Sequence, residues 1–167
     1  MGYNTEFLGS FDINKPLDEK THKILEGLNN TRRVKRDPKK LAAVLNITEK
    51  ECIGLYGKES EFYFNFDDNL GQTETDDIIN FNTPPDCQPG LWCNWKYNKE
   101  ENSINWDGGE KFYDYVPWIK YIISEIMIPN NYKVNGIVNW NGEESNDRGK
   151  IIIENNNVEI YQLDNYY

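Results

Sequence analysis

Residues 132–163 read YKVNGIVNWNGEESNDRGKIIIENNNVEIYQL, and this stretch decides the fold class. Residues 132–141 have strand character, 142–149 form an acidic turn, and 150–154 return as a second strand. Asn155-Asn156 then supplies a tight hairpin turn, because asparagine tolerates the left-handed backbone such turns need, leading into a third strand over 158–163. Strands joined by short turns pair antiparallel, whereas a parallel pair needs a crossover of a dozen or more residues.

The segment before it is helical. Phe112, Tyr115, Val116, Ile119, Ile122, Ile123, Ile126 and Met127 keep a spacing near 3.6 over 112–128. Pro117 interrupts that pattern. Either the helix is capped at Asp114 with Pro117 in its first turn, or it kinks there. Further upstream, residues 91–97 and 102–107 read as a hairpin carrying Trp92, Trp95 and Trp106, and Gly108-Gly109 breaks its second strand.

The N-terminal half follows the same logic. Residues 3–13 alternate, with Phe7, Gly9 and Phe11 on one face. Pro16 opens a helical stretch to Asn30 with Ile24, Leu25 and Leu28 as its apolar stripe. Asp37-Pro38 starts a second helix that buries Leu41, Val44 and Leu45. Thr48-Glu49-Lys50-Glu51 is a capping box for a third, ending near Gly57. Residues 61–66 alternate as a strand, 76–81 suggest another, and the prolines of 83–90 make an irregular loop. Strands therefore come in hairpins and not in β-α-β alternation. The reading is α+β: a single domain over 1–163, an antiparallel sheet built from hairpins with helices packed on one face, and a frayed tail at 164–167.

Composition bounds the function. Aromatic residues make up 14% of 167 positions, which is incompatible with a disordered chain. The formal net charge is −10, a poor balance for general binding of phosphate backbones. No apolar run has the length of a membrane helix, and no N-terminal segment has the form of a signal peptide. Cys52, Cys87 and Cys93 are few and lack CxxC spacing, so they read as reduced, unpaired thiols in a cytoplasmic compartment. His22 is the single histidine, which disfavours histidine-based catalysis and zinc ligation.

Charge is segregated. Residues 15–58 hold 11 basic and 6 acidic residues, and the rest hold 7 and 22. The basic core of this segment is Thr31-Arg32-Arg33-Val34-Lys35-Arg36, whose arginine forks suit phosphate or carboxylate. The alternative is a solvated loop paired with the protein's own acids. Acidic residues cluster at Asp67, Asp68, Glu74, Asp76 and Asp77, and at Asp107, Glu110, Glu143, Glu144 and Asp147. Such carboxylates suit Mg²⁺ or acid–base roles, or simply solubility. Asp67-x-Asn69-x-Gly71 departs from a calcium loop because its glycine falls at position 5 instead of 6.

The segments around Gly90-Leu91-Trp92-Cys93-Asn94-Trp95 and Trp106-Asp107-Gly108-Gly109-Glu110-Lys111-Phe112-Tyr113 resemble a family of short hypothetical proteins from bacteria, phages and large DNA viruses. The resemblance extends over nearly the whole chain and carries no activity. It implies a free-standing intracellular single-domain protein of viral or mobile-element origin, with Pro117 as a departure at the helix start.

Three functions follow from these features. The first is a non-enzymatic recognition protein, without cofactor or metal, that binds a nucleotide or nucleic-acid end. Its candidate ligand-binding residues are Arg32, Arg33, Arg36, Gln88, Trp92, Asn94, Trp95, Trp106, Asp107 and Glu110: arginines on phosphate, tryptophan on the base, and Asn94, Asp107 or Glu110 on a base edge. Gly108-Gly109 adds backbone N–H groups for an anion. The second is an acidic inhibitor that mimics nucleic acid and blocks a basic partner enzyme. The third is a metal-dependent hydrolase built on the carboxylates.

Overall fold

A computed structural model describes residues 2–65 and 69–163. Phe66, the acidic pair Asp67 and Asp68, and the expected tail at 164–167 lie outside the described residues. The elements in chain order are β1 (Thr5–Ile13), α1 (Glu19–Asn30), β2 (Lys35–Arg36), α2 (Pro38–Leu45), α3 (Glu49–Tyr56), β3 (Ile78–Asn80), β4 (Trp95–Asn98), β5 (Ser103–Trp106), α4 (Tyr115–Tyr121), β6 (Val134–Gly142), β7 (Arg148–Glu154) and β8 (Asn157–Gln162). The class is α+β, as the hairpin pattern requires. The chain divides into two compact units, residues 1–22 with 94–167, and residues 23–93.

The first unit is built on a six-stranded sheet of order β4-β5-β1-β6-β7-β8, antiparallel at every pairing. β1 and β6 form its spine, in register from Thr5 opposite Gly142 to Ile13 opposite Val134. Asn155 and Asn156 turn β7 into β8 with φ of 46° and 70°, the two left-handed positions of a type I′ turn. One face buries Phe7, Phe11, Trp95, Val138, Trp140, Ile151 and Ile153. The other carries exposed Leu8 and Ile137.

α4 lies over the buried face. Its first turn contains Pro117, and Trp118 N–H donates to Asp114 O at 2.9 Å, so the helix starts after Asp114 and does not kink at the proline, although the Asp114 carboxylate makes no capping hydrogen bond. The missing proline N–H is one of the unbonded donors every helix start has. Past Tyr121 the helix continues as a π-helical stretch, Ile122–Met127. Ile128 N–H there reaches Ile123 O, five residues back, at 2.9 Å. Ile119, Ile122, Ile123, Ile126 and Met127 are all buried, each worth about 1.5–3 kcal/mol of burial.

The second unit holds α1 from Lys23 onward, α2, α3 and the short β2–β3 pair. α2 and α3 begin at the expected caps: Lys39 N–H donates to Asp37 Oδ1 at 2.9 Å and Glu51 N–H to Thr48 Oγ1 at 3.1 Å. The buried side of α2 differs from expectation. Leu41 and Ala42 are buried around Cys52, whereas Val44 is 70% exposed. α1 begins at Glu19 and not at Pro16, because the Asp18 carboxylate accepts Thr21 N–H at 2.7 Å and so caps the helix there. Residues 61–65 are not a strand. Their carbonyls are taken by side chains instead of a partner strand: Glu61 O accepts from Arg33 at 2.5 Å and from Gln88 at 2.9 Å.

Cys52 and Cys93 are buried, Cys87 is exposed, and no disulfide joins them. No helix among the described residues is long and apolar enough to cross a membrane.

Candidate functional site

The ten residues singled out in the sequence fall into both units. Arg32, Arg33, Arg36, Gln88 and Trp92 belong to residues 23–93, and Asn94, Trp95, Trp106, Asp107 and Glu110 to the sheet unit.

In the second unit the basic segment is built inward. Arg33 is 2% exposed. Its guanidinium donates to Thr31 Oγ1, to Glu61 O and to Gln88 Oε1 at 3.3 Å, and stacks 5.0 Å from the Phe64 ring. Arg36 is 5% exposed, ion-paired to Asp77 at 2.5 Å and stacked 4.6 Å from the Tyr63 ring. Lys35 bridges Glu59 and Asp86 at 3.1 Å each, and those bonds, Asp86 first, hold its ammonium pKa above the ordinary lysine value. Arg32 is half-buried, donating to Phe81 O at 3.1 Å and Asn82 Oδ1 at 3.0 Å over the Phe81 ring. The expected phosphate clamp is therefore corrected for Arg33 and Arg36, and Gln88, expected as a ligand-binding residue of the 88–95 segment, is likewise buried and committed to Arg33 and Glu61. In the 59–65 loop the Glu61 and Tyr63 carbonyls accept from Arg33, whose guanidinium has donors enough to satisfy several groups at once. Trp92 remains half-buried.

In the sheet unit, β4 and β5 pair Trp95 opposite Trp106. Trp95 is also a correction: it is 2% exposed, donates Nε1–H to Tyr115 O at 2.8 Å, and packs edge-on against Phe7, Phe11 and Phe112, so no face is left for stacking a base. β4 begins at Trp95 and not at Leu91, so residues 91–94 are not the strand expected, but exposure still alternates there, with Cys93 and Trp95 buried and Trp92 and Asn94 half-buried. Trp106 lies on the same sheet face as Trp95; it is half-buried, packs 5.4 Å from the Phe7 ring and places its Nε1–H on Gly109 O at 3.1 Å, so only part of its indole is open. Gly109 N–H is engaged by Asp107 Oδ1 at 2.7 Å, and that carboxylate also accepts from Asn94 Nδ2 at 3.1 Å. The Gly109 amide is therefore taken by the chain's own carboxylate and is not open to an anionic ligand. Glu110 is exposed.

Beside this turn lies an open cleft of about 460 Å³ whose lining includes Lys96, Asn98, Lys99, Asn105, Trp106 and Asp107. Of the ten residues, it brings together Trp106 and Asp107. Lys96, Asn98, Lys99 and Asn105 were not singled out in the sequence. Their signal was there: Lys96 and Asn98 alternate with buried Trp95 and Tyr97, so they occupy the opposite strand face. Among the described residues no group of three or more His, Cys, Asp or Glu side chains is placed to hold a metal ion, which leaves the hydrolase reading without a site there.

A third constellation pins the N-terminus to the β6–β7 turn. Tyr3 OH donates to Asp147 Oδ2 at 2.6 Å and Trp140 Nε1–H to Asp147 Oδ1 at 3.0 Å, with Tyr115 against the Trp140 ring. Burial pushes the Tyr115 hydroxyl up to about 12, reinforced by the Asp147 carboxylate and Tyr3. The unfolded chain loses that proton near pH 10. Between about pH 10 and about 12 the folded state thus binds one proton more than the unfolded state. Stability from this group is complete below that window and is lost as pH rises through it. Tyr115→Phe should flatten this alkaline fall, as measured by urea unfolding on both sides of pH ~10.

No family model, no curated protein and no solved structure matches this chain.

Proposed function

We propose that this chain is a non-enzymatic recognition protein whose β4–β5 cleft takes a nucleotide or a nucleic-acid end. The observation that carries the reading is the cleft's composition: one half-buried tryptophan, two lysines and two asparagines line the same 460 Å³ opening, with the Glu100 and Asp107 carboxylates beside them. Lysine ammonium groups suit phosphate, an indole suits a base, and amides suit a base edge. The arginine segment has no part in it, since Arg33 and Arg36 serve the second unit's interior.

Nucleotides and short single-stranded oligonucleotides should raise the melting temperature with increasing concentration, by mass action. Trp106→Ala should weaken binding by about 10- to 100-fold, the usual worth of one stacked base. Lys96→Ala combined with Lys99→Ala should weaken it too, and that loss should shrink as salt rises. The lysines are exposed, so this pair tests the cleft without disturbing the core. Absence of any thermal shift across the nucleotide series would sink the reading.

A second reading rests on charge. The sheet unit carries nine basic and sixteen acidic residues, a balance suited to occupying a basic enzyme's nucleic-acid site. It predicts indifference to nucleotides and salt-sensitive capture of a basic protein.

A further inference from the structure

The two edges of the six-stranded sheet are treated differently by the sequence. β4 is four residues long and carries Lys96, with Lys99 immediately after it. Shortness and lysine are common protections against edge-to-edge pairing. β8 is six residues long, Asn157-Val158-Glu159-Ile160-Tyr161-Gln162, with no proline, no lysine and no bulge against β7. All but Val158 are exposed.

The ladder shows what this edge offers. Leu163 N–H donates to Arg148 O at 2.8 Å. By the antiparallel alternation, residues 157, 159, 161 and 163 face β7 with their main-chain groups. Those of Val158, Ile160 and Gln162 therefore point away from the sheet, and no described backbone group bonds to them.

We propose that β8 pairs antiparallel with β8 of a second copy of this chain, joining two sheets across a two-fold axis at Ile160. Register selects this partner. Outward-facing groups must meet outward-facing groups, so a two-fold pairing has few choices. Shifting it towards the turn sets Glu159 opposite the second copy's Glu159, a like-charge pair. Shifting it the other way sets Tyr161 opposite the second copy's Tyr161 and Glu159 opposite its Leu163, so neither meets the acid–hydroxyl partner. Centring on Ile160 sets Glu159 opposite the second copy's Tyr161, twice. Tyr161 OH already donates to its own Glu159 Oε2 at 2.7 Å, so the same donor–acceptor chemistry recurs across the axis. This register overlaps residues 157–163, forms about six main-chain hydrogen bonds, and continues the Ile151–Ile160 cross-strand pair into its symmetry mate. The interface is small, so the dimer is concentration-dependent. Each copy is acidic, so added salt strengthens association by screening repulsion.

Sedimentation equilibrium of the full chain into the millimolar range tests this. The wild type should move from the 19.7 kDa monomer towards twice that mass, more readily at higher salt. Ile160→Lys should remain monomeric. Gln162→Pro removes an outward N–H and leaves the β7 ladder intact, so it should weaken association while circular dichroism stays native. Register is read by cross-linking in a Cys87→Ser background. An equal mixture of Glu159→Cys and Tyr161→Cys chains should form disulfide dimers on mild oxidation, and either chain alone should not. A wild type monomeric throughout, or an Ile160→Lys chain that still dimerises, overturns the proposal. Cross-linking of either single-cysteine chain with itself overturns the register.

Discussion

Asp77→Ala is expected to lower the unfolding free energy by about 3–5 kcal/mol, the loss typical of a buried ion pair deprived of one partner. Arg36 and Asp77 are 2.5 Å apart, with side chains 6% and 4% exposed. Thr75 Oγ1–H also donates to the Asp77 carboxylate, and Asp37 N–H donates to Asp77 O at 2.7 Å, just where α2 is capped. Removing the carboxylate leaves the Arg36 guanidinium buried against Tyr63 with no charge opposite it. A domain holds only about 5–15 kcal/mol in total, so the variant should be close to unfolding at ordinary temperature. Arg36→Met with Asp77→Leu should lose much less than either single change, because no orphan charge remains. Acid dependence supplies a second readout. Burial pushes the Asp77 carboxyl up, but the hydrogen bonds from Thr75 and Arg36 outweigh it and hold the group below its ordinary value. The stabilisation is therefore present above the ordinary carboxylate range and is lost as pH falls through the depressed value. Urea unfolding at neutral and acid pH measures both effects. A loss under about 1 kcal/mol for Asp77→Ala would show that the pair is not what fixes the basic segment.

That pair marks where the amino-acid sequence stops being legible. Features set by neighbours a few residues apart were readable: the Asp37 and Thr48 caps, the Asn155-Asn156 turn, the alternation that separates Trp95 from Trp92. Each needs only a local hydrogen bond or the two-residue period of a strand. The fate of Arg33 and Arg36 was not readable, because their partners lie 28 to 55 residues away, at Glu61, Asp77 and Gln88. A run of basic residues looks the same whether it faces solvent or fills an interior. Residues 61–65 failed for the related reason that alternation does not supply a partner strand, and here the carbonyls met a guanidinium. In α2, helical spacing alone did not distinguish Ala42 from Val44 as the residue facing Cys52. Of the candidate site, the aromatic at Trp106 and the acid at Asp107 are legible in the sequence, whereas two isolated lysines on a strand carry a weaker local signal than the dense arginine run of 32–36.

Gly9→Ala is expected to cost about 3 kcal/mol or more, although it adds one methyl group to an exposed position of β1. Gly9 pairs with Val138 in the middle of the β1–β6 ladder and has φ of +112°, a backbone state that side-chain-bearing residues rarely adopt. A Cβ there would lie 2.3 Å from Ile137 O and 3.3 Å from Val138 Cα. Those are main-chain atoms of the neighbouring strand, so relief requires the spine of the sheet to move. Gly136 is the counterpart on β6, with φ of +153° and Ser10 O at 2.4 Å from its would-be Cβ, so Gly136→Ala should behave alike. The two glycines sit on facing strands, and their double variant should lose less than the sum if one backbone shift relieves both. Gly54→Ala is the control of opposite sign. Gly54 lies in α3 with nothing within 4 Å of its would-be Cβ, so alanine should stabilise by about 0.4–1 kcal/mol through the unfolded state. Thermal and urea unfolding of the three single variants compare them directly. Equal stability of Gly9→Ala and wild type would mean that β1 does not take this backbone path, and the Thr5–Ile13 register with β6 would have to shift.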